Sequence, residues 1–424
     1  MRFHIFGADR SSKTVASGVL PLNTHAPRNI ELPFVSRADF VRSGHAAESH
    51  PSSEWAAATH RRTDTARPDV GLPHRNVRVG VIGYGYWGRN HVRILAGLPG
   101  LHVTVIENRP DALREAQQRY PMVAGASSLD EVAHVLDAVV IATPPHAHGP
   151  VGLQALRAGL HALVEKPLAT SVRDAEALVD AANDTGLTLM VGHTFEYNAA
   201  VQKLKQTISS GELGRVLYID TARLNLGRYQ GDCNVIWDLA PHDISIASYL
   251  LGEFPRKVSV WAQRNVGRHH ADVAYLRLDF GEGSAPAFIH VSWLDPNKVR
   301  RITVVGDRKM AVCNDLSDTE RLRIYDVGVA TPELCGSGAI DAANVAYRTG
   351  DITSRRVDFV EPLLVQDSHF IDCVRTGRRP DTPGESGLAV VRVLAATDEA
   401  CRSGGTALVE RTDEGEIATA EVAL

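Results

Sequence analysis

The strongest constraint on the fold is a regular alternation of apolar runs and helical segments between residues 76 and 192. Each apolar run is short and rich in β-branched residues, and a stretch with helical spacing follows it. The runs are VRVGVIG, LHVTVIEN, LDAVVIAT, HALVEKP and LTLMVGH. This alternation predicts right-handed βαβ units on a parallel sheet. Residues 76–198 are therefore predicted to form a doubly wound α/β domain.

Three glycines mark the first junction between strand and helix, where Gly83, Gly85 and Gly88 form G-x-G-x-x-G. Gly83 permits a tight turn, Gly85 lets a pyrophosphate approach the backbone, and Gly88 lets helix and strand pack closely. Tyr86 and Trp87 stand at the start of the helix, whose free N–H groups suit phosphates. We expect these five residues to contact a dinucleotide. A glycine-rich turn without a nucleotide is the alternative.

An acid follows the second strand about 20 residues after the glycines. Glu107 stands where a carboxylate binds the ribose 2′-hydroxyl and repels a 2′-phosphate. This position favours NAD over NADP as the cofactor. Arg109, two residues later, leaves NADP open as the less favoured alternative.

Two further loops are expected at the carboxyl edge of the same sheet, where dinucleotides lie. Thr143, Pro144 and His148 belong to the loop after the third strand and are expected to contact the cofactor. His146 and His148 have no carboxylate cluster beside them, so no metal site is predicted. Glu165 and Lys166 end the next strand and are also expected to contact the cofactor. A lysine there can stabilise a developing alkoxide and share in proton transfer. An exposed salt-bridge residue is the alternative for Lys166.

After about residue 215 the sequence predicts several long strands and one main early helix, followed by helices near the C-terminus. This pattern indicates an open, mostly antiparallel sheet with one face covered. The early helix contains VIWDLAPHD, in which Pro241 is expected in the first turn and Asp238 at the N-cap. Asp238 and His242, four residues apart, lie on one helical face and suit an acid–base pair. Both roles remain open for Asp238.

The glycine motif, the ATPP loop, VEKP and the later D-x-x-x-H together resemble the Gfo/Idh/MocA (glucose–fructose oxidoreductase/inositol dehydrogenase) family over roughly residues 76–424. The resemblance implies an N-terminal Rossmann domain and a C-terminal α/β domain, residues 199–424, for substrate binding and oligomer formation. It implies that Lys166 is catalytic, with an often cis bond to the proline that follows. It also implies that His242 takes a proton from a sugar hydroxyl and that Asp238 orients this histidine or its substrate. The segment GHTFEYNAAVQKLK offers Tyr197 and Asn198 as substrate contacts.

The sequence around the helix most resembles the WlbA-like branch of nucleotide-sugar 3-dehydrogenases. Arg223, Asn225 and Arg228 precede the helix and offer a cation or an amide to a carboxylate, a phosphate or sugar hydroxyls. Trp237 is expected to contact the substrate together with Asp238 and His242. For Arg223, Asn225 and Arg228, polar strand-edge positions facing water are the alternative.

These features predict an NAD-dependent oxidoreductase that transfers a hydride between a sugar ring carbon, C3 of a nucleotide-linked sugar, and nicotinamide. A ketoreductase of a keto-sugar in a natural-product pathway and an inositol or polyol dehydrogenase are alternatives. A non-catalytic NAD-binding regulator is an alternative of another class, and the presence of both Lys166 and His242 disfavours it.

Composition excludes other classes of protein. The net charge of −5 gives no basic surface for nucleic acid, and no apolar run approaches the roughly 20 residues of a membrane span. Five cysteines without a CxxC pair indicate a reduced, cytoplasmic chain. Residues 1–75 lack sustained periodicity and are expected to form a disordered or loosely docked extension. A homo-oligomer, a dimer or tetramer, is expected from the family resemblance.

Overall fold

The computed structural model of the chain describes residues 76–227, 229, 231, 233–267, 269–329 and 347–410. The predicted N-terminal extension, residues 1–75, and Arg228 lie outside the described residues.

The first sheet confirms the predicted parallel Rossmann architecture. Its six strands are all parallel and lie in the order β3-β2-β1-β4-β5-β6. The strands are β1 Val77–Ile82, β2 Leu101–Ile106, β3 Ala124–Ala126, β4 Ala138–Ile141, β5 His161–Val164 and β6 Leu189–Val191. The order reverses between β1 and β4, so the crevice for a ligand lies beyond the carboxyl ends of these two strands.

Five helices connect these strands. They are α1 Tyr86–Leu95, α2 Pro110–Arg119, the single turn α3 Leu129–Val132, α4 His148–Arg157 and α5 Val172–Thr185. Short 3₁₀ turns occur at Ala133–Val135, at Pro145–Ala147 and, after β6, at Thr194–Tyr197.

The glycine motif forms a tight turn between β1 and α1. Gly83 has a φ of +92°, and its N–H donates to the carbonyl of Ile106 at 2.9 Å. A β-carbon on Gly88 would lie 1.8 Å from the carbonyl oxygen of Gly83, so only glycine lets the helix approach the turn this closely. A β-carbon on Gly85 would meet no atom within 4 Å, which leaves open space above the start of α1.

The second sheet is mixed and mostly antiparallel, as predicted. Its nine strands follow the order β16-β13-β12-β11-β7-β10-β9-β8-β17, and only the β7–β10 pair is parallel. The strands are β7 Val216–Leu226, β8 Lys257–Gln263, β9 Val273–Asp279, β10 Ala287–Ser292, β11 Leu294–Gly306, β12 Met310–Asn314, β13 Leu322–Tyr325, β16 Ile352–Arg355 and β17 Thr406–Leu408. A separate two-stranded ribbon pairs β14 Gly328–Val329 with β15 Tyr347–Arg348.

Four helices cover one face of the second sheet or join it to the first. They are α6 Ala199–Ser209, α7 Val235–Leu251, α8 Pro362–Thr376 and α9 Gly384–Ser403. Both terminal helices contribute to the packing of the first domain: α8 packs on α1, while α9 contacts α5 and β6 as well as β8. The division of the chain at residue 198 stays a prediction.

The start of α7 differs from the expectation. The helix begins at Val235, and its N-cap is Asn234, whose side chain accepts from the N–H groups of Ile236 and Trp237. Pro241 is the seventh residue of the helix and lies in its interior. The predicted place of Pro241, in the first turn, is therefore wrong, although proline is best tolerated there. Burial of this face of α7 in the core outweighs the lost backbone hydrogen bond.

Three apolar clusters hold these layers together. One lies under the second sheet, and two flank the parallel sheet. Within the part of the chain that the structure describes, no helix is long and apolar enough to cross a membrane.

We expect Gly88→Ala to lower the free energy of unfolding by about 1–3 kcal/mol, because its methyl group would overlap the Gly83 carbonyl. Gly85→Ala is the matched control in the same motif and meets no neighbouring atom. Urea unfolding of both variants measures the difference. Equal stability of the two variants would contradict the close approach of α1 to the turn.

Candidate active site

The candidate site lies where the carboxyl edge of the parallel sheet faces the start of α7. Lys166 follows β5 at this edge, and the Lys166–Pro167 peptide bond is cis, as the family resemblance implied. The Lys166 side chain crosses to α7, where Nζ donates to the backbone carbonyl of Asp238 at 2.8 Å. Nζ also lies 3.7 Å from Oδ1 of Asp238. These contacts join the two halves of the site.

The carboxylate of Asp238 is available because Asn234 caps the helix. Oδ2 of Asp238 accepts from Nε1 of Trp293 at 3.0 Å, which fixes the carboxylate. The N-cap role considered for Asp238 is therefore wrong, since Asn234 performs it. Asp238 faces Lys166, whereas the expected pairing with His242 has no hydrogen bond within the described structure.

His242 lies one helical turn after Asp238 with its ring half-buried. Its Nδ1 is buried and has no hydrogen-bond partner among the described residues. The ring packs edge-on against Phe195, with centroids 4.9 Å apart. Burial holds the pKa of His242 well below its usual value, and the charges of Lys166 and Arg223 lower it further. The imidazole is therefore neutral at neutral pH and can accept a proton.

A second neutral histidine lies beside this group. His193 follows β6 and is buried, and neither ring nitrogen has a partner within the described ranges. Burial lowers the pKa of His193 to about 4, although the charge of Glu165 opposes this change. Two unsatisfied ring nitrogens in a buried position indicate a group that hydrogen-bonds a ligand or water.

Two arginines approach the site from the second sheet. The guanidinium of Arg223 lies 4.3 Å from the Phe195 ring centroid, and that of Arg300 lies 5.7 Å from it. Nε of Arg223 donates to Asp243 at 2.7 Å in a buried ion pair. Asn225 is half-buried near the end of β7. This side of the cleft is therefore polar and contains fixed cations.

The turn at the start of α1 fits a dinucleotide. The space above Gly85 is open, and α1 has no side-chain cap, so its first N–H groups face that space. Tyr86 is 77% exposed, and its ring lies against that of Trp87. Across the edge, the buried Oγ1 of Thr143 has no partner among the described residues, and Pro144 follows it. Open backbone donors and an unsatisfied hydroxyl suit pyrophosphate and ribose.

Glu107 is held at the end of β2 by two neighbours. Oε2 accepts from the N–H of Tyr84 at 2.8 Å, and Arg109 donates to both carboxylate oxygens. Burial would raise the pKa of Glu107, but these hydrogen bonds keep it below the usual value. The Arg109 side chain is 57% exposed, so its guanidinium lies between the acid and solvent.

Four expected contacts have their polar atoms engaged elsewhere. Nδ1 of His148 lies 2.7 Å from the carbonyl oxygen of Pro167, and Nε2 lies 2.9 Å from that of Thr143, so the ring connects two loops. The hydroxyl of Tyr197 bonds Thr382 in the core. Nε1 of Trp237 donates to Asp398 on α9, and Asn198 caps α6 while its amide donates to Asp315. These hydrogen bonds give the four residues structural roles, and their assignment as ligand contacts stays a prediction.

Two buried partners of the expected residues were not predicted from the sequence. His91 lies between Glu165 and Asp367, and Trp293 holds Asp238. The signal for His91 was its place three residues after Gly88, on the helix that the motif begins. No comparable signal marks Asp367 or Trp293, which are distant in sequence. Within the described residues, no group of three or more His, Cys, Asp or Glu residues is arranged to hold a metal ion.

Comparison with known proteins identifies the family of the chain. Residues 77–193 match the Gfo/Idh/MocA oxidoreductase family model, described as an NAD-binding Rossmann fold, and residues 201–312 match the Gfo/Idh/MocA C-terminal domain. A UDP-N-acetylglucosamine 3-dehydrogenase of Acidithiobacillus ferrooxidans is 29% identical over 308 residues, which cover 72% of this chain and 94% of that protein.

Two further likenesses extend the comparison. The solved structure of the A. ferrooxidans enzyme has a TM-score of 0.62 and 26% identity over 76% of this chain and 97% of that chain. An inositol 2-dehydrogenase of Saccharopolyspora erythraea is 31% identical over 198 residues, which cover 45% of this chain and 58% of that protein. The two family models together span more than half of the sequence. The chain belongs to the Gfo/Idh/MocA family and is an oxidoreductase with an NAD-binding Rossmann domain.

Proposed function

We propose that the chain is an NAD-dependent sugar dehydrogenase that oxidises C3 of a nucleotide-linked sugar. The observation that carries this proposal is that Lys166, at the carboxyl edge of the parallel sheet, reaches the helix that contains the neutral His242, and that its charge acts on this histidine. The similarity to a UDP-N-acetylglucosamine 3-dehydrogenase over most of its length supports the choice of substrate.

His242 is the proposed proton acceptor. Its low pKa keeps it neutral at working pH, so it can take the proton of a sugar hydroxyl. Bound nicotinamide supplies the hydride acceptor. As the hydroxyl loses its proton and the ring carbon its hydride, the substrate becomes a ketone.

Lys166 is the proposed electrostatic stabiliser. Its ammonium group is fixed by the Asp238 carbonyl and lies near the Asp238 carboxylate. A fixed cation beside the reacting oxygen stabilises the partial negative charge that develops there. Asp238 thus orients Lys166 rather than His242.

NAD is the proposed cofactor because Glu107 remains at the ribose position with a lowered pKa. Arg109 would have to leave both carboxylate oxygens before it paired with a 2′-phosphate. That rearrangement disfavours NADP.

The polar side of the cleft supports a sugar with charged substituents. Arg223 and Arg300 lie against Phe195, next to His242. An inositol or polyol is the second candidate, and the likeness to an inositol 2-dehydrogenase supports it. A location in the cytoplasm stays a prediction.

We also propose that the outer face of the second sheet forms a homo-oligomer interface. Trp261, Tyr275 and Phe288 are exposed aromatic residues on adjacent strands of this face. The ring of Tyr275 stacks on His290 at 4.0 Å and packs against Trp261 at 5.8 Å. A contiguous aromatic surface on a sheet that is covered on its other face suits a second copy of the chain.

Lys166→Ala and His242→Ala are each expected to lower turnover by roughly 10²–10⁴-fold while NAD binding persists. Lys205→Ala is the matched control, since Lys205 also donates to a carbonyl of α7, at Leu250. NADH formation is measured with UDP-hexosamines, other nucleotide sugars, free sugars and inositols. Full turnover in both site variants would reject the mechanism, and activity with inositols alone would select the second candidate.

The pH dependence of kcat/KM follows from the lowered pKa of His242. A histidine with its usual pKa would lose its basic form as the pH falls through about 6.5. Because the pKa of His242 lies well below that value, kcat/KM should show no protonation step of this base between pH 8 and 6.5. An acid limb centred near pH 7 that disappears in His242→Ala would contradict the neutral buried imidazole.

Tyr275→Arg is expected to shift the chain from an oligomer toward the monomer, because it places charge in the aromatic surface. Met122→Arg is the control, since Met122 is 95% exposed outside this sheet. Light scattering after size-exclusion chromatography gives the masses. A monomeric native chain, or the same oligomer in both variants, would contradict the interface.

A further inference from the structure

A buried histidine lies beneath the proposed catalytic lysine and has no part in the mechanism above. His91 is on α1, and its ring is fully buried. Nδ1 lies 2.9 and 3.0 Å from the two carboxylate oxygens of Asp367, and Nε2 lies 3.0 Å from Oε1 of Glu165. An ionised carboxylate has no proton to donate and can only accept hydrogen bonds. Between two such carboxylates, both ring nitrogens of His91 must donate, so the ring is an imidazolium.

The charge of this ring follows from its neighbours. Burial alone would lower the pKa of His91, but Asp367 and Glu165 together raise it to about 10. Burial likewise opposes the charge on Glu165, yet His91 keeps the pKa of that carboxyl below its usual value. A cation and two acids thus occupy a buried site, where charges interact strongly.

Glu165 connects this buried cluster to the active site. While Oε1 faces His91, Oε2 accepts from the backbone N–H of Lys166 at 3.1 Å. Gly192 lies against Glu165, so close that a β-carbon there would be 3.3 Å from its side chain. Glu165 is therefore fixed from three sides directly under the residue that carries the ammonium group.

The position of Lys166 depends on which acid it pairs with. Lys166 contributes to the charge environment of Glu165, but its Nζ donates to the Asp238 carbonyl on the opposite side of the cleft. A buried carboxylate without another cation would attract the nearest ammonium group. His91 satisfies Glu165 and leaves Lys166 at α7.

We propose that His91 is a positioning residue, which neutralises Glu165 from below and so keeps the Lys166 ammonium group in the cleft facing Asp238 and the substrate. The proposal rests on the proposed dehydrogenase function and deepens it. His91 is also held by Asp367 on α8. The neighbouring Gln366 accepts a hydrogen bond from Oγ1 of Thr194 at 2.7 Å. The cluster thereby connects α1, the turn after β5, and α8.

His91→Gln tests this role against a purely structural one. The variant keeps a hydrogen-bonding side chain and loses the charge, so kcat should fall by about 10–100-fold with little change in KM for NAD. Arg93→Gln is the matched control, because Arg93 on α1 forms a half-exposed ion pair with Glu361 at the start of α8. This control breaks a contact between the same two helices and should leave kcat unchanged.

The double variant His91→Gln/Glu165→Gln separates positioning from folding. It removes the buried acid next to Lys166 and leaves Asp367 as it is in His91→Gln. Lys166 is then released, and kcat should exceed that of His91→Gln by about five-fold or more. A purely structural defect would be equal or worse in the double variant. Thermal unfolding of all variants gives the folded fraction by which kcat is corrected. Unchanged kcat in folded His91→Gln, or no recovery in the double variant, would overturn the proposal.

A readout independent of turnover distinguishes failure of this proposal from failure of the proposed function. The rate at which an amine-acylating reagent labels Lys166 is followed by peptide mass spectrometry in the native chain, His91→Gln and Arg93→Gln. Slower labelling in His91→Gln alone is expected, because the ammonium group turns toward Glu165. If no sugar is oxidised by the native chain, the proposed function fails, and equal labelling rates would overturn the positioning role separately.

Discussion

The site depends on the fixed position of one sheet relative to the other, and helix α9 provides this constraint. Val391 and Leu388 on α9 belong to the apolar cluster of the parallel sheet, whereas Val390, Val393 and Leu394 belong to the cluster under the second sheet. One helix thus buries side chains in both cores. Because these cores are close-packed, neither sheet can shift without loss of apolar contact. In this arrangement Lys166, beside the parallel sheet, donates a hydrogen bond to α7, beside the second sheet.

Within this frame, the nearest charges decide the protonation of each histidine. His91, His193 and His242 are all desolvated, which by itself favours the neutral imidazole. Two carboxylates reverse the preference at His91, while Lys166 and Arg223 reinforce it at His242. The site therefore contains both a cationic histidine below the proposed catalytic lysine and a neutral histidine, the proposed base. The charges beside His91 and His242, and not burial alone, thus give each ring the protonation state that its proposed role needs.

Much of the fold was predictable because strong local patterns agree with the global architecture. The glycine motif and the alternation of strands and helices predicted the parallel sheet, and the long strands predicted the second sheet. Strand β3 was missed, because its three residues, Ala-Gly-Ala, lack the apolar pattern of a strand. The parallel pairing of β7 with β10 was also beyond prediction, since local periodicity contains no information on register between distant strands.

The candidate site was less predictable, because several of its residues are chosen by distant partners. Lys166 and His242 stand in local motifs, so both were predictable as candidate residues. Tyr197 and Trp237 also stand near these motifs and have polar atoms that could bind a ligand. In the fold, however, the Tyr197 hydroxyl bonds to Thr382, and Nε1 of Trp237 donates to Asp398. His91 shows the opposite, because it was not predicted to have a role, yet in the fold its ring contacts Glu165 and Asp367. A motif predicts the backbone position of a residue, whereas tertiary contacts determine the hydrogen-bond partners of its side chain.

The start of α7 shows how a change in one local role affects the chemistry. With Asn234 as the cap, the Asp238 carboxylate is not needed for the helix N–H groups and accepts from Trp293 instead. Pro241 has no N–H group, so the carbonyl of Trp237 lacks its usual helical partner, and the next carbonyl, that of Asp238, receives Lys166. The spacing of four residues still places Asp238 and His242 on one face. On that face we propose different partners for them, the lysine for the acid and the substrate for the imidazole.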